Sequence, residues 1–388
     1  MKERLKILLC IAPAADARSL NHGFVSDLAH ALCETVDAEY DVIGSSTVQK
    51  KLKDYHLIHV FGCRQSAVLK LLHKTYRLHI PTILSPIGDL QPWMQRQPKG
   101  HLLRRWQQRA VRTASAIHLW STVEYECFSK LQWNSRAEFI INPNVTNRIT
   151  FQEAAEKFVL LYRKVLDTQA RLLLTEAAQT AIGQLLELGV DEATLSDKSH
   201  CQSLKERLTV LTGEDWHQIM IYAADEHILD AVRMGLQRIQ HEIPEIVPSD
   251  ITRFPLLSTY AGDTLNTVEL LPGAVSDSEK FLRFFHDNEM RERQLCIALA
   301  NLRHENAHRT APLSHLADIY VLLRFSEMDE DRLKEAVAVL GLQHFAERLM
   351  TVLHKVLRLS EGFMPFQARP DKTADKLLLQ FTKFNCWA

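Results

Sequence analysis

Glycine is scarce in this chain. Thirteen glycines in 388 residues is about half the usual share of roughly 7%. Few positions are left for tight turns, phosphate-cradling loops and helix caps, so the chain is expected to be rich in helix. Two complete nucleotide-binding α/β domains fit poorly into so few glycines. Close cysteine pairs are also lacking. The seven cysteines stand at 10, 33, 63, 127, 201, 296 and 386 with no C-x-x-C spacing. That excludes a disulfide framework or a zinc ribbon and points to a reducing compartment. Long apolar runs are missing too. The run at residues 7–12 is too short to span a bilayer and fits a first β-strand better than a signal peptide. With 46% hydrophobic and 24% charged residues, the chain is not a disordered one.

The net charge of −1 conceals two halves of opposite sign. Residues 1–150 carry 20 Lys/Arg against 12 Asp/Glu, a net of +8. Residues 151–388 carry 26 against 35, a net of −9. The change of sign is a domain signal. A basic first half suits an anionic partner such as a phosphate, a nucleotide or a membrane surface. Attraction between the two halves accounts for the same asymmetry.

What is present differs between the halves. Residues 1–150 alternate short apolar runs with amphipathic stretches. Strands are expected at 5–11, 40–43, 57–61, 80–85, 116–120 and 138–141. Helices are expected at 21–33, 65–76, 104–113 and 123–131 between them. This alternation predicts a Rossmann-like, doubly wound parallel sheet, whose ligands bind at the carboxyl ends of the strands. No proline occurs between Pro143 and Pro244, and helical periodicity takes over from residue 151. Helices are expected at 151–174, 176–188, 202–211, 215–241, 278–303, 313–325, 329–340, 343–359 and 373–384. The fold class is therefore α/β plus all-α, with domains at 1–150 and 151–388. The prolines between 244 and 272 divide the second into two lobes near 244–275.

Four segments of the first half, in order, carry a resemblance. They are DYHLIHVFG (54–62), IPTILSPIGDLQPW (80–93), RTASAIHLWSTVEYE (112–126) and FIINPNVT (139–146). They resemble the strand-end motifs of the N-terminal domain of family 4 glycosyltransferases, which have the GT-B fold. The resemblance covers about 150 of 388 residues. It implies a sugar acceptor, anionic or lipid-linked, held near His22, Gly23, His59, Gly62, Gly88, Asp89, Trp93 and Asn144. It also implies a nucleotide-sugar donor, no other cofactor, and a role in bacterial surface polysaccharide synthesis.

Two departures weaken the implied activity. Ile87 precedes Gly88 where the family has a histidine, so no catalytic base is named. The family's second, donor-binding Rossmann domain has no counterpart in 151–388. The string EGFMP (361–365) echoes its EGFGLP motif but is one residue short, and reads as a turn that ends a helix. The chain is thus expected to be a divergent or catalytically degenerate transferase. The alternative is a non-catalytic binding or assembly protein whose helical half mediates docking or homo-oligomerisation.

Two further patterns bear on partners. Arg104, Arg105 and Arg109 lie in a basic stretch with Trp106 and an apolar stripe. This suits contact with a phosphate or an anionic membrane, or else is a solvated basic face. The reading is a cytoplasmic protein, peripheral at the inner membrane, with no nucleic-acid motif. HENAH (304–308) matches H-E-x-x-H, so His304 and His308 could ligate zinc beside Glu305 as general base. Its flanks, Arg303 and Arg309, favour a polar helix end instead. His59 reads more readily as a satisfied core histidine than as a ligand contact.

Overall fold

A computed structural model describes residues 5–12, 23–42, 51–95, 100–131, 133–134, 136–144, 149–169, 173–242, 264–276, 279, 281, 285, 290–308 and 311–383. The chain divides into two compact units. Unit 1 is Met1–Gln169 with Asp250–Tyr260, and unit 2 is Ala170–Ser249 with Ala261–Ala388.

Unit 1 holds six strands: β1 (Lys6–Ile11), β2 (Asp37–Val42), β3 (Leu57–Phe61), β4 (Thr82–Ser85), β5 (Ala116–Leu119) and β6 (Ala137–Phe139). All neighbouring pairs are parallel, in the order β2-β1-β3-β4-β5-β6. Among the described residues, the helices longer than one turn are α1 (Phe24–Leu32), α2 (Ser66–Arg77), α3 (Gly100–Thr113), α4 (Thr122–Leu131) and α5 (Phe151–Asp167). The strands of β3, β4 and β5 are buried throughout. That is why they read as continuous apolar runs rather than alternating ones. From β1 the chain crosses to β2 on one side, whereas from β3 it steps the other way through β4, β5 and β6. Right-handed crossovers in opposite directions put α1 and α2–α4 on opposite faces. The β1/β3 boundary is the switch point of the sheet.

The boundary between the units falls later than residue 150. α5 packs against α1, so it belongs to unit 1 rather than to the helical half. Its start is fixed by a capping box. Glu153 N–H donates to Thr150 Oγ1 at 3.1 Å and Thr150 N–H donates to Glu153 Oε2 at 2.7 Å. Its buried stripe, including Ala154, Phe158, Tyr162 and Val165, covers the sheet.

The described residues of unit 2 are helical with no strand. The helices are α6 (Glu176–Val190), α7 (Lys198–Thr209), α8 (Gly213–Asp225), α9 (Leu229–Arg238), α10 (Arg291–His308), α11 (Ser314–Phe325), α12 (Glu330–Val339), α13 (Gln343–Leu357) and α14 (Lys372–Thr382). α10 is the core helix, fully buried from Leu295 to Ala300. Its one wholly buried amide, Asn301, accepts from Leu271 N–H and donates to the carbonyls of Asn266 and Glu269. α6 and α9 approach through glycine. A Cβ on Gly189 would lie 1.9 Å from the Ala231 carbonyl oxygen, and one on Gly235 would lie 2.2 Å from that of Leu185.

The single helix expected at 215–241 is two, α8 and α9. His227 adopts a left-handed conformation (φ 57°), and Ile228 N–H reaches back to the Ala223 carbonyl at 2.8 Å. This Schellman ending normally uses glycine. Here His79, His227, Gln240, Arg358 and Lys383 all take positive φ at helix ends. A glycine-poor chain ends its helices with side chains present. The helix expected at 278–303 is described from residue 291 as α10, which runs on to His308. Most of 277–289 lies outside the described residues.

Candidate functional site

The carboxyl edge of the sheet is where the loops after β3, β4 and β5 converge. The β4 loop turns sharply there. Ile87 (φ 46°) and Gly88 (φ 85°) are successive left-handed residues. A β-branched residue in that region is strained, and such strain collects at functional sites. Two carboxylates hold the loop. Asp89 Oδ2 accepts from Cys63 N–H at 2.7 Å, tying it to the end of β3. Glu124 Oε1 accepts from Gly88 N–H at 2.6 Å, and its Oε2 accepts from Trp120 N–H at 3.2 Å, tying it to the end of β5.

Glu124 follows from the S-x-x-E spacing at the start of α4. Ser121 Oγ accepts from Glu124 N–H at 3.2 Å, as in a capping box. The glutamate side chain then bypasses Ser121 and reaches Trp120 and Gly88. Only 2% of Glu124 is exposed. Burial pushes its carboxyl up to about 7, opposed by the two N–H donors and assisted by nearby Asp89. A carboxyl that titrates near neutrality changes the charge on the loop it clamps over that range.

Beneath this edge runs a buried polar chain that fixes every tautomer. His118 Nε2 lies 2.9 Å from the Ile140 carbonyl, which only accepts, so Nε2 carries the hydrogen. Neutral His118 therefore accepts at Nδ1 from Ser85 O–H at 2.6 Å. Ser85 Oγ in turn accepts from His59 Nε2–H at 2.7 Å, and His59 Nδ1 accepts from Tyr162 O–H at 3.0 Å. All four side chains are buried to within 1%. Burial lowers His118 to about 4 and takes His59 well below its ordinary value, with His118 adding to the latter. Both imidazoles stay neutral, and the chain points one way from Tyr162 to Ile140. Ser85 is 1% exposed, and its hydroxyl is engaged by both imidazoles.

The expected site residues are only partly gathered. Gly62, Gly88 and Asp89 lie at the carboxyl edge. Gly62 N–H donates to the Ser85 carbonyl at 2.7 Å. Trp93, on the short turn Pro92–Gln95, is 56% exposed. Gly23 begins α1 in a left-handed conformation (φ 77°), while His22 lies outside the described residues. His59 is a core histidine within the polar chain and is not a ligand contact on this edge. Asn144 is exposed, and its N–H donates to Asn142 Oδ1 at 2.9 Å. Asn142 is itself 1% exposed, with Nδ2 lacking a partner among the described residues.

α3 lies next to this edge, since Gln107 Nε2 donates to Cys63 Sγ at 3.7 Å. Arg104, Arg105 and Arg109 are exposed on it, beside Trp106 at 54% exposure. Arg104 also sits 5.9 Å over the Trp133 ring. No described helix is long and apolar enough to cross a membrane.

The HENAH segment ends α10. Glu305 turns into the core, where its Oε2 lies 2.7 Å from His315 Nδ1, with 6% of the residue exposed. The carboxylate needed as general base is thus already engaged. Among the described residues no group of three or more His, Cys, Asp or Glu is placed to hold a metal ion. In the EGFMP segment, Glu361–Phe363 is a single 3-10 turn, with Arg324 4.0 Å over the Phe363 ring.

Sequence reasoning passed over Glu124, Ser85, His118 and Tyr162. The S-x-x-E spacing held the signal for Glu124. The polar chain joins residues far apart in sequence, and no local pattern announces it. The chain matches no protein-family model, no curated protein and no solved structure.

Proposed function

We propose that unit 1 is a glycosyltransferase-like, acceptor-binding domain. On this reading a sugar-bearing anion sits at the carboxyl edge, against the Gly88–Asp89 loop, with Trp93 stacking on a sugar face. Glu124 changes the charge on the loop it clamps near neutrality. Exposed Arg105 and Arg109 contact the phosphate or the anionic membrane that carries the acceptor. The observation that supports this most is the strained Ile87–Gly88 turn, cross-braced by Asp89 and Glu124 at the edge where doubly wound sheets bind ligands. Bacterial surface polysaccharide synthesis is the process this role fits.

The strand-free character of the described part of unit 2 favours a second version. Without a second parallel sheet there is no strand-end crevice for a donor. The chain then binds an acceptor or a partner and transfers nothing alone. Calorimetric titration with nucleotide sugars, followed by a product assay with a lipid-linked acceptor, separates the two. Donor binding with transfer or hydrolysis supports the active transferase. Acceptor binding with no donor binding supports the degenerate one. Binding of neither class overturns the proposal.

A further inference from the structure

A groove in unit 2 is lined unlike the acidic half around it. α7 presents Lys198, Cys201, Gln202 and Lys205, and the end of α9 presents Arg238 and Gln240. The open space between them is about 250 Å³, below the range of drug-sized pockets and suited to a small polyanion. Leu195 and Ile239 supply an apolar floor. The spacing 198, 201/202, 205 puts these side chains on one stripe of α7. Apart from the thiol, every ionisable side chain of the lining is a cation.

Of the neighbouring acids, Glu206 and Glu192 meet the lining residues Gln202 and Arg238, and Asp197 has its partners outside the groove. Glu206 accepts from Gln202 Nε2 at 2.9 Å. Asp197 caps α7 by accepting from His200 N–H at 3.0 Å, and also pairs with Arg358. Glu192 stands 3.9 Å from Arg238 with its side chain 76% exposed. Arg238 is preset, because its guanidinium donates to the Leu188 and Gly189 carbonyls at the end of α6. Lys198 and Lys205 have no ion pair among the described residues. Two unneutralised ammonium groups facing a fixed guanidinium repel one another, and a multivalent anion between them reverses that term.

We propose that this groove binds a small diphosphate-bearing molecule. The two lysines stand about 10 Å apart along the helix axis, seven residues at 1.5 Å each. Their stems close on two linked phosphates, whereas a single phosphate engages one at a time. The organic part lies on Leu195 and Ile239, beside the Cys201 thiol. The groove lies wholly in unit 2 and is independent of the reading of unit 1.

The test is a calorimetric titration of the full chain with inorganic pyrophosphate at constant ionic strength. Wild type binds, and binds orthophosphate more weakly. The double variant Lys198→Ala/Lys205→Ala loses at least about ten-fold in affinity, as expected for two charge-assisted contacts. Lys198→Arg/Lys205→Arg retains binding. Saturating pyrophosphate slows alkylation of Cys201, read by peptide mass spectrometry, while alkylation of Cys127 in unit 1 is unchanged. Absence of pyrophosphate binding overturns the proposal. So does undiminished binding by the alanine variant, or Cys201 alkylation that ignores the ligand.

Discussion

Replacing Glu124 with glutamine removes one titration and leaves the side chain's shape intact. In the folded chain the carboxyl titrates at about 7, against an ordinary value of 4.5. A raised folded value means that the charged form is disfavoured by folding. The associated stability is fully present below pH 4.5 and is lost as the pH rises through about 7. The loss is about 3 kcal/mol for a side chain this deeply buried. His118 acts in the opposite sense. Its value falls from 6.5 to about 4, so its contribution is present above pH 6.5 and is lost as the pH falls through about 4. The two slopes oppose each other over their shared window, and His59, also lowered by burial, adds to that of His118, so the wild-type profile does not isolate the carboxyl. The difference between Glu124→Gln and wild type isolates the carboxyl. At low pH both side chains are neutral. The difference there reflects the glutamine amide facing Trp120 N–H, a fixed offset. As the pH rises to 8, the variant gains about 3 kcal/mol relative to wild type. Urea unfolding at a series of pH values reads this. Four of the six tryptophans, Trp93, Trp106, Trp120 and Trp133, lie in unit 1 and report its unfolding by fluorescence, beside Trp216 and Trp387 of unit 2. A difference that stays flat with pH refutes the buried carboxyl that titrates near neutrality.

Three other perturbations follow from the packing. Tyr162→Phe strands the buried His59 Nδ1 acceptor and is expected to destabilise unit 1 by about 1–3 kcal/mol in the same urea assay. A neutral result means that water or another donor serves His59. Gly189→Ala and Gly235→Ala force methyl groups against carbonyl oxygens and each cost about 3 kcal/mol or abolish folding of unit 2, measured by circular dichroism melting. A melting point unmoved by either substitution contradicts the close approach of α6 and α9. His79→Gly relieves a left-handed side chain at the end of α2 and is expected to stabilise by about 1 kcal/mol. A loss of stability there removes the strain argument.

Much of the fold was readable because buried parallel strands leave uninterrupted apolar runs. LIHVF at 57–61 and TILS at 82–85 are examples, and the helices between them show clear stripes. The breaks were less readable. His227 ends α8 with no glycine or proline to mark it, because Ile228 N–H and the buried Glu226 carboxylate supply the termination. Glu226 accepts from Leu313 N–H at 3.1 Å and pairs with Lys383, both distant in sequence. α5 was placed with the helical half because its amphipathic pattern does not say which surface it covers. At the candidate site the loops were legible as Gly88–Asp89 and Gly62. The clamp that joins them was not, since Glu124 reaches backwards out of its own helix to a loop 36 residues earlier. His59 misled for a related reason. A histidine at a strand end looks like a ligand contact until Tyr162, 103 residues later, is seen to donate to it.

The central claim is that the carboxyl edge of the sheet is a ligand site. Hydrogen–deuterium exchange of the full chain, with and without a panel of nucleotide sugars and lipid-linked sugar phosphates, tests it most directly. The account predicts that at least one ligand slows exchange at residues 62–64, 86–91 and 120–124 together, because one bound molecule spans the loops that Asp89 and Glu124 brace. Ligand-induced protection confined to other segments, or none from any member of the panel, contradicts it.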